Sequence, residues 1–142
     1  QQSVRLTLKG ISVDALWSIA VTAARCYHNN RVSQRRSQKL GHSWPSSSLL
    51  NHIVSEFAQL ARTEGVELDV EETIAYLKAL ALKVGSHYPS MHQDLANRRL
   101  TEIDFLNGTV ARESEAKGLE APYCQMITQL IHAKEDVLGI SK

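Results

Sequence analysis

The sequence predicts an all-α domain of about six helices. Three observations carry that prediction. Apolar residues recur at spacings of three and four in successive segments, the period of a helix with one buried side. Those segments are bounded by helix starts and stops, among them Gly65, Asp69, Gly85, Gly118 and Pro122. No segment alternates apolar and polar residues long enough to read as a strand.

The chain has 142 residues, enough for one domain with a real core. Hydrophobic residues make up 43%, ordinary for a globular protein, so disorder does not describe the whole chain. A net charge of +1 gives no overall field to recruit nucleic acid or an anionic membrane. No apolar run approaches the roughly 20 residues needed to span a bilayer. The expected setting is cytoplasmic, with Cys26 and Cys124 as reduced thiols, since two cysteines make neither a disulfide framework nor a metal spacing. His28, His42, His52 and His132 show no metal spacing either, so no metal is expected. The chain begins with Gln1 rather than Met, which fits the back part of a longer protein.

The elements follow in order. Residues 11 to 27, ISVDALWSIAVTAARCY, are apolar nearly all round and predict a buried helix. Residues 28 to 48 are rich in Ser and basic side chains and have little periodicity. They read as a solvated connector, with a phosphate-binding basic patch as the alternative. Residues 48 to 64 predict a helix with Leu49, Ile53, Phe57, Leu60 and Ala61 on one side and Gly65 as its stop. Asp69 then caps a helix ending at Gly85, with Glu72 three positions on, and Ile74, Leu77, Leu80, Leu82 and Val84 supply its apolar side. Pro89 breaks the chain, and Ser90 caps a short helix through Leu95. A last helix runs from 122 to 137, opened by Pro122, with Ile127, Leu130 and Ile131 as its buried side.

The stretch RRLTEIDFLNG, residues 98 to 108, is ambiguous. Its closing Asn-Gly is a hairpin signal, and its Thr-Glu-Ile-Asp reads as a helix start. Ile103, Leu106, Val110 and Ala111 share one side at helical spacing, and no alternation continues beyond Gly108. The spacing therefore predicts a helix over 102–117 with Thr101 as its N-cap. Glu102 falls in its first turn, where the helix dipole favours a carboxylate. Asn107 and Gly108 fall inside the helix, where a glycine costs about 1 kcal/mol relative to Ala and is better tolerated where another backbone or a ligand approaches closely, contact with another helix being the expected case.

Three fragments in order, Ser90 to Asp94 (SMHQD), Thr101 to Gly108 (TEIDFLNG) and Gly118 to Pro122 (GLEAP), make the chain resemble the C-terminal helical domain of ketopantoate reductase (2-dehydropantoate 2-reductase). The spacing from Ser90 to Glu102 also matches, and the clear resemblance covers about residues 46–138 of a domain spanning 1–142. The resemblance implies an all-α fold of the 6-phosphogluconate-dehydrogenase C-terminal-like type. It implies an NADP-dependent oxidoreductase that reduces ketopantoate to pantoate with NADPH, in pantothenate and coenzyme A biosynthesis. The cofactor is held mainly by a separate N-terminal Rossmann domain, and the keto acid sits in the cleft between the two. Carried over by matching position, Ser90, Met91, His92 and Gln93 contact the substrate. Glu102 lies beside cofactor and substrate and helps hold the reacting geometry.

The chain departs from the family in two places. The family's proton donor is a lysine shortly after a Trp. Here Trp17 is followed by Ser18 and Ile19, with Thr22 and Cys26 near the expected asparagines and Lys39 as the nearest cation downstream. His87 stands where some members carry a substrate-binding asparagine. No Gly-x-Gly-x-x-Gly turn occurs anywhere in the chain. The isolated chain is therefore expected to be inactive, with a Rossmann domain as its missing partner. The alternatives are a non-catalytic helical dimerisation or interaction module, and a related 2-keto acid reductase. A helical domain cut from its partner exposes an apolar face that can pair with itself as a homodimer.

Overall fold

The computed structural model describes residues 7–8, 11–12, 47–84 and 90–140. They form helices α1 (Ser47–Thr63), α2 (Val70–Val84), α3 (Ser90–Ala96), α4 (Asn107–Ala116) and α5 (Pro122–Val137), with a 3₁₀ turn at Ile103–Phe105 before α4. Near the N-terminus, β1 (Thr7–Leu8) and β2 (Ile11–Ser12) pair antiparallel, Thr7 opposite Ser12 and Leu8 opposite Ile11. The sequence predicted no strand, and a helix from residue 11. At Ile11 and Ser12 that expectation fails. Leu8 and β-branched Ile11 flank a Lys-Gly dipeptide, with β-branched Thr7 next along, a composition that suits short paired strands better than a helix start. The remainder of that predicted helix, the basic connector up to residue 46, and Cys26, Lys39 and His87 lie outside the described residues.

α1 is the centre of the core. Leu50, Ile53, Val54, Phe57, Leu60 and Ala61 recur at helical spacing, and each is at most 1% exposed. Burial at this level stabilises by roughly 1.5–3 kcal/mol for each large side chain. α2 packs on α1 through Ile74 and Leu77, and its predicted cap is present: Asp69 Oδ1 accepts the Glu72 N–H at 2.8 Å. α4 and α5 pack on each other and on α1.

The predicted helix over 102–117 is two elements. Leu106 leaves helical geometry with φ −105° and ψ −99°, and Asn107 and Gly108 open α4 rather than lie inside a helix. In a continuous helix the Asp104 carbonyl would accept the N–H of residue 108. Here the Thr109 hydroxyl (3.1 Å) and Arg112 Nη2 (3.0 Å) donate to it instead. Two local side chains thus compete successfully with the ladder. The close approach at Gly108 is real, but its partner is the turn and not another helix. A Cβ there would stand 3.3 Å from the Ile103 carbonyl oxygen.

α4 closes at Gly118, where φ of +71° lets the Gly118 and Leu119 N–H groups reach back to Glu115 and Ser114. α3 closes with the same pattern on a non-glycine residue. Arg98 takes φ +53°, its N–H donating to Leu95 O at 3.2 Å and that of Arg99 to Asp94 O at 2.8 Å. α5 buries Cys124, Ile127, Ile131 and Glu135. Leu130, predicted on that side, is 61% exposed, because a stripe running through positions 127, 131 and 135 turns residue 130 outward.

Candidate functional site

The residues singled out from the sequence sit on α3 and on the link that follows it. Ser90 is exposed at the first position of α3, and Gln93 is exposed one turn on. His92 is half-buried. Met91 is 1% exposed and belongs to the core, so its side chain is not presented to a ligand. The Gln93 carbonyl accepts the Asn97 side-chain amide at 2.8 Å, which closes the end of the helix.

Glu102 is exposed and stands immediately before the 3₁₀ turn. The predicted first-turn environment is therefore corrected. A three-residue 3₁₀ turn lacks the length of aligned peptides that a helix dipole needs. Thr101 caps weakly, its hydroxyl accepting the Ile103 N–H at 3.4 Å. Local hydrogen bonds are few, with Phe105 N–H to Glu102 O at 3.0 Å and Leu106 N–H to Ile103 O at 3.2 Å.

Contacts from α5 hold this link. Glu135, only 3% exposed, accepts the Thr101 N–H on Oε1 at 2.8 Å. His132 Nε2 lies 2.9 Å from Asp104 Oδ1. Ile103, 1% exposed, supplies the apolar anchor between them. Phe105 points outward and is 75% exposed. Glu102 thus projects from a short segment that α5 holds by a hydrogen bond at Thr101 and approaches at Asp104.

A second buried carboxylate organises the other end of α5. Glu56 on α1 accepts the Tyr123 N–H on Oε1 and the Cys124 N–H on Oε2, each at 2.8 Å. Both amides belong to the first turn of α5, where Ala121 offers no side-chain cap. The adjacent His52 and Tyr123 rings stack with centroids 4.1 Å apart. Burial, and then the Glu56 charge, hold the Cys124 thiol proton far above its ordinary range, with the fully buried Asn107 amide acting the other way.

Sequence reasoning passed over Glu56 and Glu135. A signal for each was present. Glu135 continues the Ile127–Ile131 stripe at four-residue spacing, and Glu56 lies in phase with Ile53 and Leu60. A carboxylate on the buried side of a helix needs hydrogen-bond donors, here backbone amides of other elements.

An open groove of about 650 Å³ runs between α4 and α5, bordered by Arg112, Gln125, Gln129 and His132. It takes in none of Ser90, Gln93 and Glu102. Among the described residues no group of three or more His, Cys, Asp or Glu could hold a metal ion, and no helix is long and apolar enough to cross a membrane.

Residues 20–135 match the family described as ketopantoate reductase PanE/ApbA C terminal. The chain is 52% identical over 93 residues to the 2-dehydropantoate 2-reductase of Streptococcus pyogenes serotype M3, covering 65% of this chain and 30% of that protein. It is 43% identical over 102 residues to the 2-dehydropantoate 2-reductase of Lactococcus lactis subsp. lactis, covering 70% and 33%. Among solved structures, D-mandelate dehydrogenase with NADH and anilino(oxo)acetate is similar with a TM-score of 0.74 and 35% identity, over 91% of this chain and 70% of that one. The chain spans about 30% of the length of the first of these reductases.

Proposed function

The chain belongs to the ketopantoate reductase PanE/ApbA C-terminal family, and from that membership we propose that it is the substrate-binding C-terminal domain of an NADPH-dependent 2-dehydropantoate 2-reductase. The observation that carries this reading is the 52% identity over 93 residues to a 2-dehydropantoate 2-reductase, together with a family match over residues 20–135, a range that includes Ser90, Gln93 and Glu102.

The described residues fit the substrate side of such a site and not the cofactor's phosphates. No glycine-rich turn is present to cradle a dinucleotide. A nicotinamide, held mainly by a Rossmann domain, supplies the hydride when bound. This chain's own groups orient. The Ser90 hydroxyl and the Gln93 amide can hydrogen-bond a keto acid, and Glu102 holds the reacting groups in register. The negative charge that develops on the carbonyl oxygen calls for a proton donor, and none of these three supplies a cationic acid. An aromatic left as open as Phe105, three residues from Glu102, supports a face that another domain covers.

The test is a graft. The matching third of the streptococcal reductase is replaced by the corresponding residues of this chain. The graft is expected to oxidise NADPH with 2-dehydropantoate, and the isolated chain to show no turnover. Steady NADPH oxidation by the pure isolated chain overturns the reading of an incomplete enzyme. A folded graft that ignores 2-dehydropantoate but reduces an aryl 2-keto acid favours a second reading, a related 2-keto acid reductase. The similarity to D-mandelate dehydrogenase supports that alternative.

A further inference from the structure

Glu135 is the most deeply buried carboxylate among the described residues, and it accepts the backbone N–H of Thr101, 34 positions away in sequence. Ile127 and Ile131 precede it on the same stripe, so an apolar side chain there would complete the core without desolvating a charge. The carboxylate instead reaches the residue directly before Glu102. The segment it holds has little rigidity of its own. It carries a three-residue turn, a 3.4 Å cap and no helical ladder until Leu106. One turn earlier on α5, His132 meets Asp104 on the far side of Glu102. Arg112 from α4 fixes the Asp104 carbonyl.

We propose that Glu135 is a positioning residue for Glu102. By accepting the Thr101 N–H, it fixes the direction in which the Glu102 carboxylate leaves the turn, so that the carboxylate meets its ligand already oriented. The assignment rests on the reading of Glu102 as a group that faces substrate and cofactor in a 2-keto acid reductase. Glu135 touches neither ligand and acts through the backbone.

Two substitutions separate positioning from bulk stability. Glu135→Gln keeps an acceptor oxygen for the Thr101 N–H, whereas Glu135→Met keeps the length and apolar volume but no acceptor. In the full chain, amide hydrogen exchange at Thr101 should speed at least about tenfold in the Met variant and stay near wild type in the Gln variant, matching loss or retention of one hydrogen bond. In the streptococcal graft, Glu135→Met should lower kcat by roughly 10- to 100-fold with KM nearly unchanged, the size expected of a displaced reacting group, and Glu135→Gln should restore most of it. Glu102→Gln is measured alongside. Unchanged exchange at Thr101 in the Met variant overturns the assignment. So does an unchanged kcat in that variant beside a Glu102→Gln that loses activity. A fully active Glu102→Gln instead overturns the reading on which the assignment rests, while the exchange data still report on the anchor itself.

Discussion

Glu56 on α1 caps α5 by accepting the Cys124 N–H on one carboxylate oxygen and the neighbouring Tyr123 N–H on the other. A side chain distant in sequence thus does what an N-cap residue normally does locally, and ties the first described helix to the last. The first-turn amides of a helix lack intrahelical partners and carry the positive end of its dipole, so a buried carboxylate there is both hydrogen-bonded and electrostatically favoured.

Glu56→Ala is expected to destabilise the chain by about 2–4 kcal/mol, because two charge-assisted hydrogen bonds are lost and two amides are left without acceptors. Glu56→Gln should cost less, about 1–2 kcal/mol, since one oxygen remains while an NH₂ group faces an amide donor. Urea unfolding followed by circular dichroism measures both. A Gln variant as stable as wild type beside a destabilised Ala variant would show that the side chain fills space and does not cap through its charge.

Cys124 is expected to resist alkylation in the folded chain. The thiolate is the reactive form, and burial beside the Glu56 charge keeps the proton on sulfur where a free thiol, with its ordinary value of 9.0, is half ionised. Iodoacetamide at about pH 8.5 should leave residue 124 unmodified in buffer and label it in denaturant, read by peptide mass spectrometry. The sign of the linked effect follows. The folded value is raised, so this contribution to stability is present below pH 9.0 and declines as pH rises above it, where the unfolded chain releases the proton and the folded one does not. Rapid labelling of the native chain would contradict the buried placement.

Arg98→Gly should stabilise the chain by about 1 kcal/mol. Arg98 closes α3 at φ +53°, a region costly for a residue with a Cβ and free of that cost for glycine. The hydrogen bonds of the closure come from the backbone and survive the change. Thermal unfolding of the variant checks this, and a lower midpoint would mean that the arginine side chain contributes more than its backbone strain costs.

These residues also show what could be read in advance. The apolar stripe of α1, the Asp69 cap, the Gly118 stop and the Pro122 start follow from local chemistry and were legible in the sequence. The break at Leu106 was not. It depends on the Thr109 hydroxyl and the Arg112 guanidinium reaching the same carbonyl, and periodicity carries no information about that competition. The order of Ser90, Gln93 and Glu102 was legible by resemblance, whereas the support beneath Glu102 was not. Glu135 interrupts a hydrophobic stripe, and that irregularity alone marks it as a group needing a partner. Which partner it takes is decided only when α5 lies against the link after α3.

The isolated chain should tolerate Glu102→Gln without loss of stability, within about 0.5 kcal/mol, the range of an exposed substitution away from caps and core. The structure gives the reason. Glu102 is exposed, its side chain makes no cap, and its role in the turn is carried by its backbone carbonyl, which accepts the Phe105 N–H. The same substitution in the streptococcal graft should reduce turnover by about 10- to 100-fold if Glu102 has the role proposed for it, since it removes the carboxylate charge while leaving the fold intact. Unfolding curves and steady-state kinetics on the same pair of proteins separate the two effects. Full activity with unchanged stability would remove Glu102 from the proposed site. A large loss of stability would instead make it a structural residue, contrary to its exposure.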